Sequence, residues 1–400
     1  MRNLKQHVTQ ENLTVSMSNK RCCSSSGGVG YFYMIPVDLL MNNILSRLSV
    51  KSMGKCRCVS KLWSSIIRRP NYQLFPQTIK YSPNDIPKLL FAINLKKKLY
   101  YFSSPHPAEN DKSSLVATLL HTHTVAFFRF CGSISGLVCG QSWGKKYTVA
   151  VISNPVTGES VTTPKVNLKT HDIESKVKFY FGYDPIEKQY KVLRVTWLIY
   201  ETFSTRHYVL TLEAGNPKWR KIQCCNAYHP LIDDGICING VVYYTAKINA
   251  KTRMIVCFDV RSEKFSFMDV HPDLATKIRK GWVLTDYKGK LGAIIIDDDD
   301  RIEMWVLEEA KKHKWSKQTY QLNPSRHFSV GVRVTGGGKI LFCREFLRED
   351  RLDIFYYDPE RDSIERVEIA GFEIPGSEVL DTTMCAVHTF PHYIEDVKLI

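Results

Sequence analysis

A glycine followed by an apolar segment recurs beyond Phe127, and its spacing limits the folds that the chain can adopt. We call this pattern the glycine mark. It occurs at Gly136 (SGLVCG), Gly240 (NGVVYY), Gly289 (KGKLGA) and Gly338 (GGKILF), which lie 104, 49 and 49 residues apart. Because the first interval is about twice the others, one unit between Gly136 and Gly240 has a degenerate mark. A repeat of about fifty residues is typical of folds built from similar small sheets.

A second mark accompanies the first: an apolar strand ends in Asp or Asn, and a polar turn leads to the next strand. It occurs at Asn154 (ISNPVTGES), Asp184 (FGYDPIEKQY), Asp259 (CFDVRSEKF) and Asp358 (YYDPERDSI). A fifth equivalent at Trp305 (WVLEEAKKHKW) keeps the strand-turn-strand form without proline. An Asx side chain favours a turn because it accepts a hydrogen bond from the backbone ahead. The two marks predict five antiparallel units with a kelch-like period, which close into a propeller.

The segments on either side of these units complete the predicted ring. Residues 80–130 supply one further blade, beginning with a hairpin in which LLFAINL and LYYF flank Lys96–Lys98. The apolar stretch Met384–Phe390 is predicted to provide the last strand that closes the ring. We therefore expect about six blades, with a β-sandwich as the alternative.

A different pattern, helical spacing, fills Ile35–Tyr72. Leu40, Met41, Ile44, Leu45 and Leu48 recur three and four residues apart behind Asp38, a helix-capping residue. Ser52 and Ser60 are predicted to cap two further short helices, the last one ending before Pro70. Three short helices cannot bury this apolar surface among themselves, so the segment requires a partner surface.

This segment resembles the F-box. The family pattern is matched by Ile35-Pro36, Asp38-Leu39, Ile44-Leu45-Ser46-Arg47-Leu48, Arg57-Cys58-Val59-Ser60-Lys61 and Trp63. Three positions depart from it: Asn43 replaces Glu, Ser49 replaces Pro, and one extra residue stands between Asp38 and Ile44. In a regular helix an extra residue would rotate the preceding residues by about 100°.

The chain from Phe128 onward resembles the plant F-box-associated domain of the third type. The resemblance is carried by SGLVCG, NPVTGE, FGYDPIEKQYKVLRV and GICINGVVYY. Together the two resemblances imply an α+β multidomain protein, in which a small all-α F-box is followed by an all-β kelch-like propeller domain. We assign 1–30 to a flexible arm, 31–75 to the F-box and 80–400 to the propeller-like domain, which the resemblance implies is the substrate-binding half.

The F-box resemblance implies docking on a Skp adaptor and, through it, on a cullin-RING ubiquitin ligase. The motif positions expected to contact the adaptor are Ile35, Pro36, Leu39, Ile44, Leu48, Val50, Cys58, Val59 and Trp63. Lys51, Arg57 and Lys61 would steer the encounter electrostatically. The implied function is that of a non-catalytic substrate-recognition adaptor of an SCF-type ligase that binds an unknown target protein for ubiquitination. The alternatives are a free-standing propeller that binds a glycan, protein or nucleic acid and has a degenerate F-box, and a propeller enzyme.

The net charge of +15 points to an acidic partner or a nucleic acid, and its distribution favours the former. Residues 1–80 hold twelve Lys and Arg against two acids, whereas the other 320 residues hold 43 against 38. A nucleic-acid surface on the large domain would have placed the excess there. The basic first fifth agrees instead with an acidic adaptor as the partner of the F-box.

Composition places the protein among soluble intracellular proteins, cytoplasmic and/or nuclear. Hydrophobic residues make up 44% and charged residues 24%, the ordinary globular mixture. No apolar run is long enough to cross a bilayer, and the first residues are too polar for a secretory signal. The twelve cysteines lack a Cys-x-x-Cys pair, so we expect buried free thiols rather than disulfides or zinc ligands.

No residue pattern indicates a catalytic, cofactor or metal site. The run Asp297–Asp300 is expected to be a solvated turn between two strands, because calcium loops place carboxylates at alternate positions with a glycine bend. The pairs His121 with His123 and His388 with His392 lack further ligands nearby in sequence. Gly336–Lys339 lacks the remainder of a phosphate loop and predicts a tight hairpin. Most tryptophans are expected to wedge between blades.

Overall fold

The structure is a computed structural model that describes two parts of the chain. The larger part is 87–396, with gaps at 96, 108–113, 125–127, 169–174, 199–204, 214–216, 232–233, 249–251, 278–281, 297–300, 322–329, 345, 348–349 and 375–385. The smaller part consists of single positions: Pro36, Leu39, Ile44, Leu48, Ser52, Lys55, Cys56, Val59, Lys61, Trp63 and Ser64. The predicted arm 1–30 lies outside the described residues.

Six sheets, here called blades 1 to 6, account for the strands of the larger part. Blade 1 contains β1 (Lys88–Leu95), β2 (Lys98–Ser104), β4 (Thr118–Thr124) and β27 (Ala386–Tyr393), in the order β27-β1-β2-β4. Blade 2 contains β5 (Phe128–Ile134), β6 (Leu137–Trp143), β7 (Tyr147–Ser153) and β8 (Ser160–Thr162), with β9 (Val166–Asn167) paired to β7. Blade 3 contains β10 (Ser175–Asp184), β11 (Gln189–Leu198), β12 (Thr205–Thr211) and β13 (Arg220–Ile222).

The remaining three blades repeat the same antiparallel plan. Blade 4 contains β14 (His229–Pro230), β15 (Ile236–Ile238), β16 (Val241–Lys247), β17 (Arg253–Asp259) and β18 (Phe265–Asp269), and both β14 and β15 pair with β16. Helix α1 (Pro272–Lys277) leads to blade 5, which contains β19 (Val283–Tyr287), β20 (Lys290–Ile296), β21 (Arg301–Glu309) and β22 (Lys314–Gln321), with a 3₁₀ turn at Ala310–Lys312. Blade 6 contains β23 (Val330–Val334), β24 (Ile340–Arg344), β25 (Leu352–Asp358), β26 (Ser363–Ala370) and β3 (Leu115–Val116).

The innermost strands close into a ring. Contacts run from β27 to β5, β10, β15, β19 and β23, and then return to β27. Strand β27 comes from the C-terminal part of the chain and pairs with β1, with Asn94 opposite Ala386 and Ala92 opposite His388. The prediction of about six blades closed by a C-terminal strand is therefore confirmed, and the sandwich alternative is wrong. The closing strand extends to Tyr393, beyond the predicted Phe390.

A second closure was not predicted. Strand β3 lies in the connection between β2 and β4 of blade 1, yet it pairs in parallel with β26 of blade 6, with Leu115 opposite Ile369. The Ala117 amide also donates to the Ala370 carbonyl at 2.8 Å. Residues 80–130 therefore do not form a blade alone. Blade 1 includes β27 from the C-terminal part of the chain, and β3 pairs with blade 6 instead of blade 1.

Both faces of each blade are apolar because each blade packs between two others. In β1, Leu89 and Phe91 face blade 6, whereas Leu90 and Ala92 face blade 2. Phe91 meets Phe372 of the link after β26 edge to face, with ring centroids 5.2 Å apart. Burying one such phenyl ring contributes about 1.5–3 kcal/mol. The layers between neighbouring blades, rather than one central core, thus stabilise the fold.

The glycine marks lie at the hairpins between the first and second strands of blades 2, 4, 5 and 6. Their φ angles are +82° at Gly136, +83° at Gly240, +81° at Gly289 and +88° at Gly338. In three of these hairpins the preceding residue also has a positive φ: Ser135, Asn239 and Lys288. Two successive positive φ angles are typical of type I′ turns, which match the twist of paired strands. Glycine is needed there because it enters this region without steric strain.

The turn at Asp184 explains why one unit lacks the glycine mark. It lies in a different hairpin of its blade from the other Asx turns, with which its sequence pattern groups it. The Asx turns at Asn154, Asp259 and Asp358 join the third and fourth strands of their blades, whereas Asp184 joins β10 to β11, the first and second strands of blade 3. The Asp184 carboxylate accepts from the Ile186 amide at 2.9 Å. An Asp-Pro turn here replaces the glycine hairpin, so the period doubles at this unit.

Alternating strand directions give the propeller two faces. The hairpin face carries the turns between first and second and between third and fourth strands; examples are Gly136 and Asp358. The crossover face carries the turns between second and third strands and the blade-to-blade links; examples are Gly144–Lys146 and α1.

Candidate functional site

The described positions of the F-box match its predicted helical character. Leu39, Ser52, Lys55, Cys56, Lys61, Trp63 and Ser64 are α-helical, and Val59 lies in a turn. The Val59 amide donates to the Cys56 carbonyl at 3.1 Å, which turns the chain between the second and third helical segments. Ser52 is itself helical, so it is not the residue preceding the helix that a cap would be.

The predicted adaptor contacts differ in exposure. Pro36 and Lys61 are exposed, and the apolar side chains of Leu39 and Val59 are 51% and 63% exposed. Ile44 and Leu48 are half-buried, and Trp63 is 9% exposed, so little of its indole is open to a partner. The other predicted positions, Ile35, Val50, Lys51, Arg57 and Cys58, lie outside the described residues.

Ile44 adopts a π-helical conformation. A π-helical turn takes up one inserted residue within a single turn of helix. The extra residue between Asp38 and Ile44 can be absorbed there, without the rotation of about 100° expected of a regular helix. Asn43 and Ser49, the other departures from the family pattern, lie outside the described residues.

His121 and His123 of β4 pack at the junction of blades 1 and 2. Their ring centroids are 4.7 Å apart, and His123 meets Tyr101 edge to face at 5.8 Å. A Cβ at Gly158 of blade 2 would lie 2.4 Å from the His121 ring, so glycine leaves room for this imidazole. Burial lowers the pKa of His121, and burial together with His121 lowers the pKa of His123 to about 4. Both act as neutral packing groups at neutral pH.

His388 links the closing strand to the blades on either side. The Arg333 guanidinium of β23 donates to His388 Nε2 at 3.2 Å, and the imidazole stacks on Phe130 of β5 with centroids 4.6 Å apart. Burial, and secondly the nearby Arg333 charge, hold the pKa of His388 well below its usual range. The neutral imidazole can therefore accept from Arg333, and blades 6, 1 and 2 are joined through one side chain.

The glycine run Gly336–Lys339 forms the predicted hairpin turn. The Gly338 amide donates to the Thr335 carbonyl at 2.8 Å, and the Lys339 amide donates to Thr335 Oγ1 at 3.1 Å. Beside this turn on the hairpin face lies an open cleft of about 280 Å³ between blades 5 and 6. Two of the cations that line it are paired with carboxylates, Lys288 with Glu360 at 3.2 Å and Lys339 with Asp358 at 3.8 Å.

No metal or membrane element appears in the described part of the chain. Among these residues no group of three or more His, Cys, Asp or Glu is arranged to hold a metal ion. The run Asp297–Asp300 lies outside the described residues, but the strands before and after it pair, with Ile296 opposite Ile302. Within the same limits, no helix is long and apolar enough to span a bilayer.

Cysteines and tryptophans behave largely as structural groups. The described cysteines carry free thiols, of which Cys131, Cys139, Cys257 and Cys343 are buried, while Cys225 is exposed. Trp282 and Trp305 lie in the layer between blades 4 and 5. Trp219 donates its indole N–H to the Pro164 carbonyl at 3.0 Å and so ties blade 3 to blade 2. These contacts agree with the prediction that most tryptophans wedge between blades.

Comparison with known proteins assigns the family of both parts. Residues 35–74 match the F-box domain, and residues 88–394 match the F-box associated beta propeller domain. The chain is 44% identical to "Putative F-box protein At1g53550" of Arabidopsis thaliana over all of both chains. It is 42% identical to "Putative F-box protein At1g55070" over 99% of each chain, and 38% identical to "F-box protein DOR" over 92% of this chain and 95% of that protein, both also from Arabidopsis thaliana. The chain therefore belongs to the plant F-box proteins that carry an F-box-associated β-propeller domain.

Proposed function

We propose that this chain is the substrate-recognition adaptor of an SCF-type ubiquitin ligase. Its F-box docks a Skp-type adaptor, and its propeller binds a target protein. The observation that carries the proposal is the combination of a matched F-box with a propeller that closes its own ring through β27. Within the F-box, Leu39 and Val59 expose apolar side chains at motif positions.

The protein performs no bond chemistry in this proposal. It holds the target near the ubiquitin-carrying enzyme, which raises the effective concentration of the target's lysines. The closed ring supplies a stiff scaffold, and the loops on its faces vary without disturbing the blades. We place this activity in the cytoplasm and/or nucleus. The identity of the target depends on those loops rather than on the fold.

Pull-down of a purified Skp adaptor by the full chain tests the proposal. The variants Leu39→Asp and Val59→Asp each introduce a charge at an exposed position, so the fold should survive, and each should reduce adaptor recovery about tenfold or more. Ile186→Asp is the matched control, because Ile186 is an apolar propeller residue that is 64% exposed. Recovery by both F-box variants equal to that of the control would contradict adaptor docking.

The departures at Asn43 and Ser49 favour a second candidate, a free-standing binding propeller with a degenerate F-box. In that case the wild-type chain itself fails to recover the adaptor. The substitutions Asn43→Glu with Ser49→Pro then restore the family pattern and raise recovery. If wild-type recovery is already complete and unchanged by these substitutions, the second candidate is wrong.

A further inference from the structure

Five cations lie on segments of blades 2 and 3 close to the contact between these blades, toward the crossover face. We call Lys145, Lys146, Lys165, Arg194 and Arg206 the basic cluster. Lys145 and Lys146 form the turn between β6 and β7, Lys165 precedes β9, and Arg194 and Arg206 lie on β11 and β12. The side chains of the three lysines and of Arg206 are exposed, and Arg194 is half-buried.

Backbone and ring contacts hold the two halves of the cluster together. Trp219 of blade 3 donates to the Pro164 carbonyl of blade 2, which places Lys165 next to this junction. On the blade 3 side, the Arg194 guanidinium lies 5.1 Å from the Trp219 ring and 3.7 Å from the Tyr208 ring centroid. On the blade 2 side, the Lys146 carbonyl accepts from the Leu168 amide at 2.8 Å, which fixes the turn. The cluster thus sits on rigid strands and short turns.

The cluster lacks acidic partners. Within the described ranges, no carboxylate lies within 4.0 Å of any of its five cations, whereas most basic residues of blades 5 and 6 have one. Arg194 is half-buried, and its Nε is a buried donor without an acceptor. Burial lowers the pKa of Arg194, an effect that the Tyr208 hydroxyl partly offsets. Like charges held together without counter-charges favour an anionic ligand.

The aromatic rings beside the basic cluster distinguish two classes of anionic partner, nucleic acids and acidic polypeptides. Single-stranded nucleic acids are held by basic grooves whose aromatic faces remain open for base stacking. Here the rings are covered: Lys165 Nζ lies 4.6 Å above Tyr147, and Arg194 lies over Tyr208 and Trp219. The surface offers charge and hydrogen-bond donors but few free stacking faces, which suits carboxylates better than nucleobases.

We propose that the basic cluster docks an acidic segment of the target polypeptide, with its Asp and Glu carboxylates paired to Lys146, Lys165, Arg194 and Arg206. This inference rests on the proposed function, since it specifies which surface of the propeller receives the target and which chemistry that target presents. Each arginine guanidinium can donate two parallel hydrogen bonds to one carboxylate, and the lysines add exposed point charges.

Fluorescence anisotropy with the full chain tests the docking. The probe is a short labelled peptide of alternating Glu and Gly, compared with a Gln and Gly peptide and a labelled oligouridine. The triple variant Lys146→Glu, Lys165→Glu, Arg206→Glu reverses the cluster. The triple variant Lys290→Glu, Lys312→Glu, Lys314→Glu is the matched control, because it changes net charge equally at exposed, ion-paired lysines of blade 5.

We expect wild type and the control to bind the Glu peptide within about twofold of each other and the cluster variant to bind about tenfold or more weakly. The Gln peptide should not bind. Equal weakening of both variants, absence of Glu-peptide binding, or tighter binding of oligouridine than of the Glu peptide would each overturn the inference. Adaptor pull-down is scored separately: loss of adaptor binding with intact peptide binding refutes the proposed function and leaves the cluster's chemistry standing.

Discussion

Blades 5 and 6 and the junction of blades 2 and 3 use their basic residues in opposite ways. In blades 5 and 6 most described cations have a carboxylate partner. The pairs are Lys288 with Glu360, Lys290 with Glu308, Lys312 and Lys314 with Glu309, Lys317 with Glu303, Lys339 with Asp358, Arg344 and Arg366 with Asp353, and Arg351 with Glu368. In the basic cluster the described part of the chain supplies no such partner.

The difference separates cations that serve the fold from cations that await a ligand. A paired cation near a partly buried carboxylate prevents that charge from being left unpaired. An exposed, unpaired cation contributes little to stability and remains available to a partner. The comparison therefore predicts that substituting a paired group lowers the free energy of unfolding, whereas substituting a cation of the basic cluster leaves it nearly unchanged.

The largest effect is expected at Glu263, which lies in the turn between β17 and β18 of blade 4 and pairs with two cations of blade 3. It binds Lys191, which is 6% exposed, at 3.0 Å and Arg220 at 2.7 Å. Glu263→Ala leaves Lys191 buried without a counter-charge and should lower the free energy of unfolding by about 3 kcal/mol. Denaturant titration measures this, and Arg220→Ala, at an exposed partner, should cost under about 1 kcal/mol. Equal effects of the two variants would contradict the assignment.

The same carboxylate predicts an acid dependence. Burial of Glu263 would raise its pKa, but the hydrogen bonds from Arg220 and Lys191 outweigh burial, so its folded pKa is lowered. Its contribution is fully present above the unfolded value near 4.5 and is lost as the pH falls through the lower folded value. Relative to wild type, Glu263→Ala should show a flatter decline of stability below pH 4.5.

A smaller loss is expected at Asp353 of blade 6. Its carboxylate accepts from Arg366 at 2.8 Å and 3.1 Å, and Arg344 lies 3.8 Å away. Asp353→Asn keeps the shape but removes the charge, and should cost about 2 kcal/mol in denaturant titration. A change below about 0.5 kcal/mol would show that the ion pairs of Asp353 do not stabilise blade 6. The paired cations of blade 6 would then not differ from the basic cluster in their contribution to stability.

Mild acid should lower the stability of the folded protein through His388 of β27, the strand by which blade 6 meets blade 2. His388 is neutral when folded, because burial and Arg333 depress its pKa, whereas the unfolded imidazole titrates near 6.5. Stability is therefore complete above the unfolded pKa and falls below it, by up to about 1.4 kcal/mol per pH unit. His388→Gln keeps an acceptor for Arg333 without titrating, so its thermal midpoint should change less between pH 6.5 and 5. An unchanged pH slope would contradict this account.

The smallest effects are expected in the basic cluster itself. Lys165→Ala and Arg206→Ala should each change the free energy of unfolding by less than about 0.5 kcal/mol, since neither side chain pairs with a carboxylate among the described residues. Loss of more than about 1 kcal/mol in both would mean that the cluster stabilises the junction of blades 2 and 3. The cations would then be structural, as in blade 6.

The blade repeat could be predicted because each unit carries its own local signals. Gly136 and its counterparts occupy positive-φ hairpin positions, so the backbone geometry appears directly in the sequence. The closing strand was found because it is an apolar segment left over after the units are counted. Asp184 was misassigned because an Asp-Pro turn has the same local signature at either hairpin of a blade.

Other features depend on distant residues and leave no local mark. Strand β3 has only two residues, and its partner β26 lies about 250 residues away, so nothing near Leu115 indicates a parallel pair. The basic cluster is assembled from four separate segments when blade 3 docks on blade 2. Nothing in the sequence around Lys165 or Lys314 indicates whether a carboxylate will lie beside it. Only the fold shows which of them has a carboxylate nearby.

Zero-length crosslinking of the Glu and Gly peptide to the full chain tests the central contrast most directly. A carbodiimide joins a carboxylate to a lysine amine in contact with it, and mass spectrometry identifies the lysine. The account predicts that Lys145, Lys146 and Lys165 take most of the crosslinks. Crosslinks found mainly at Lys290, Lys312 and Lys314, which are also exposed but already paired, would contradict it.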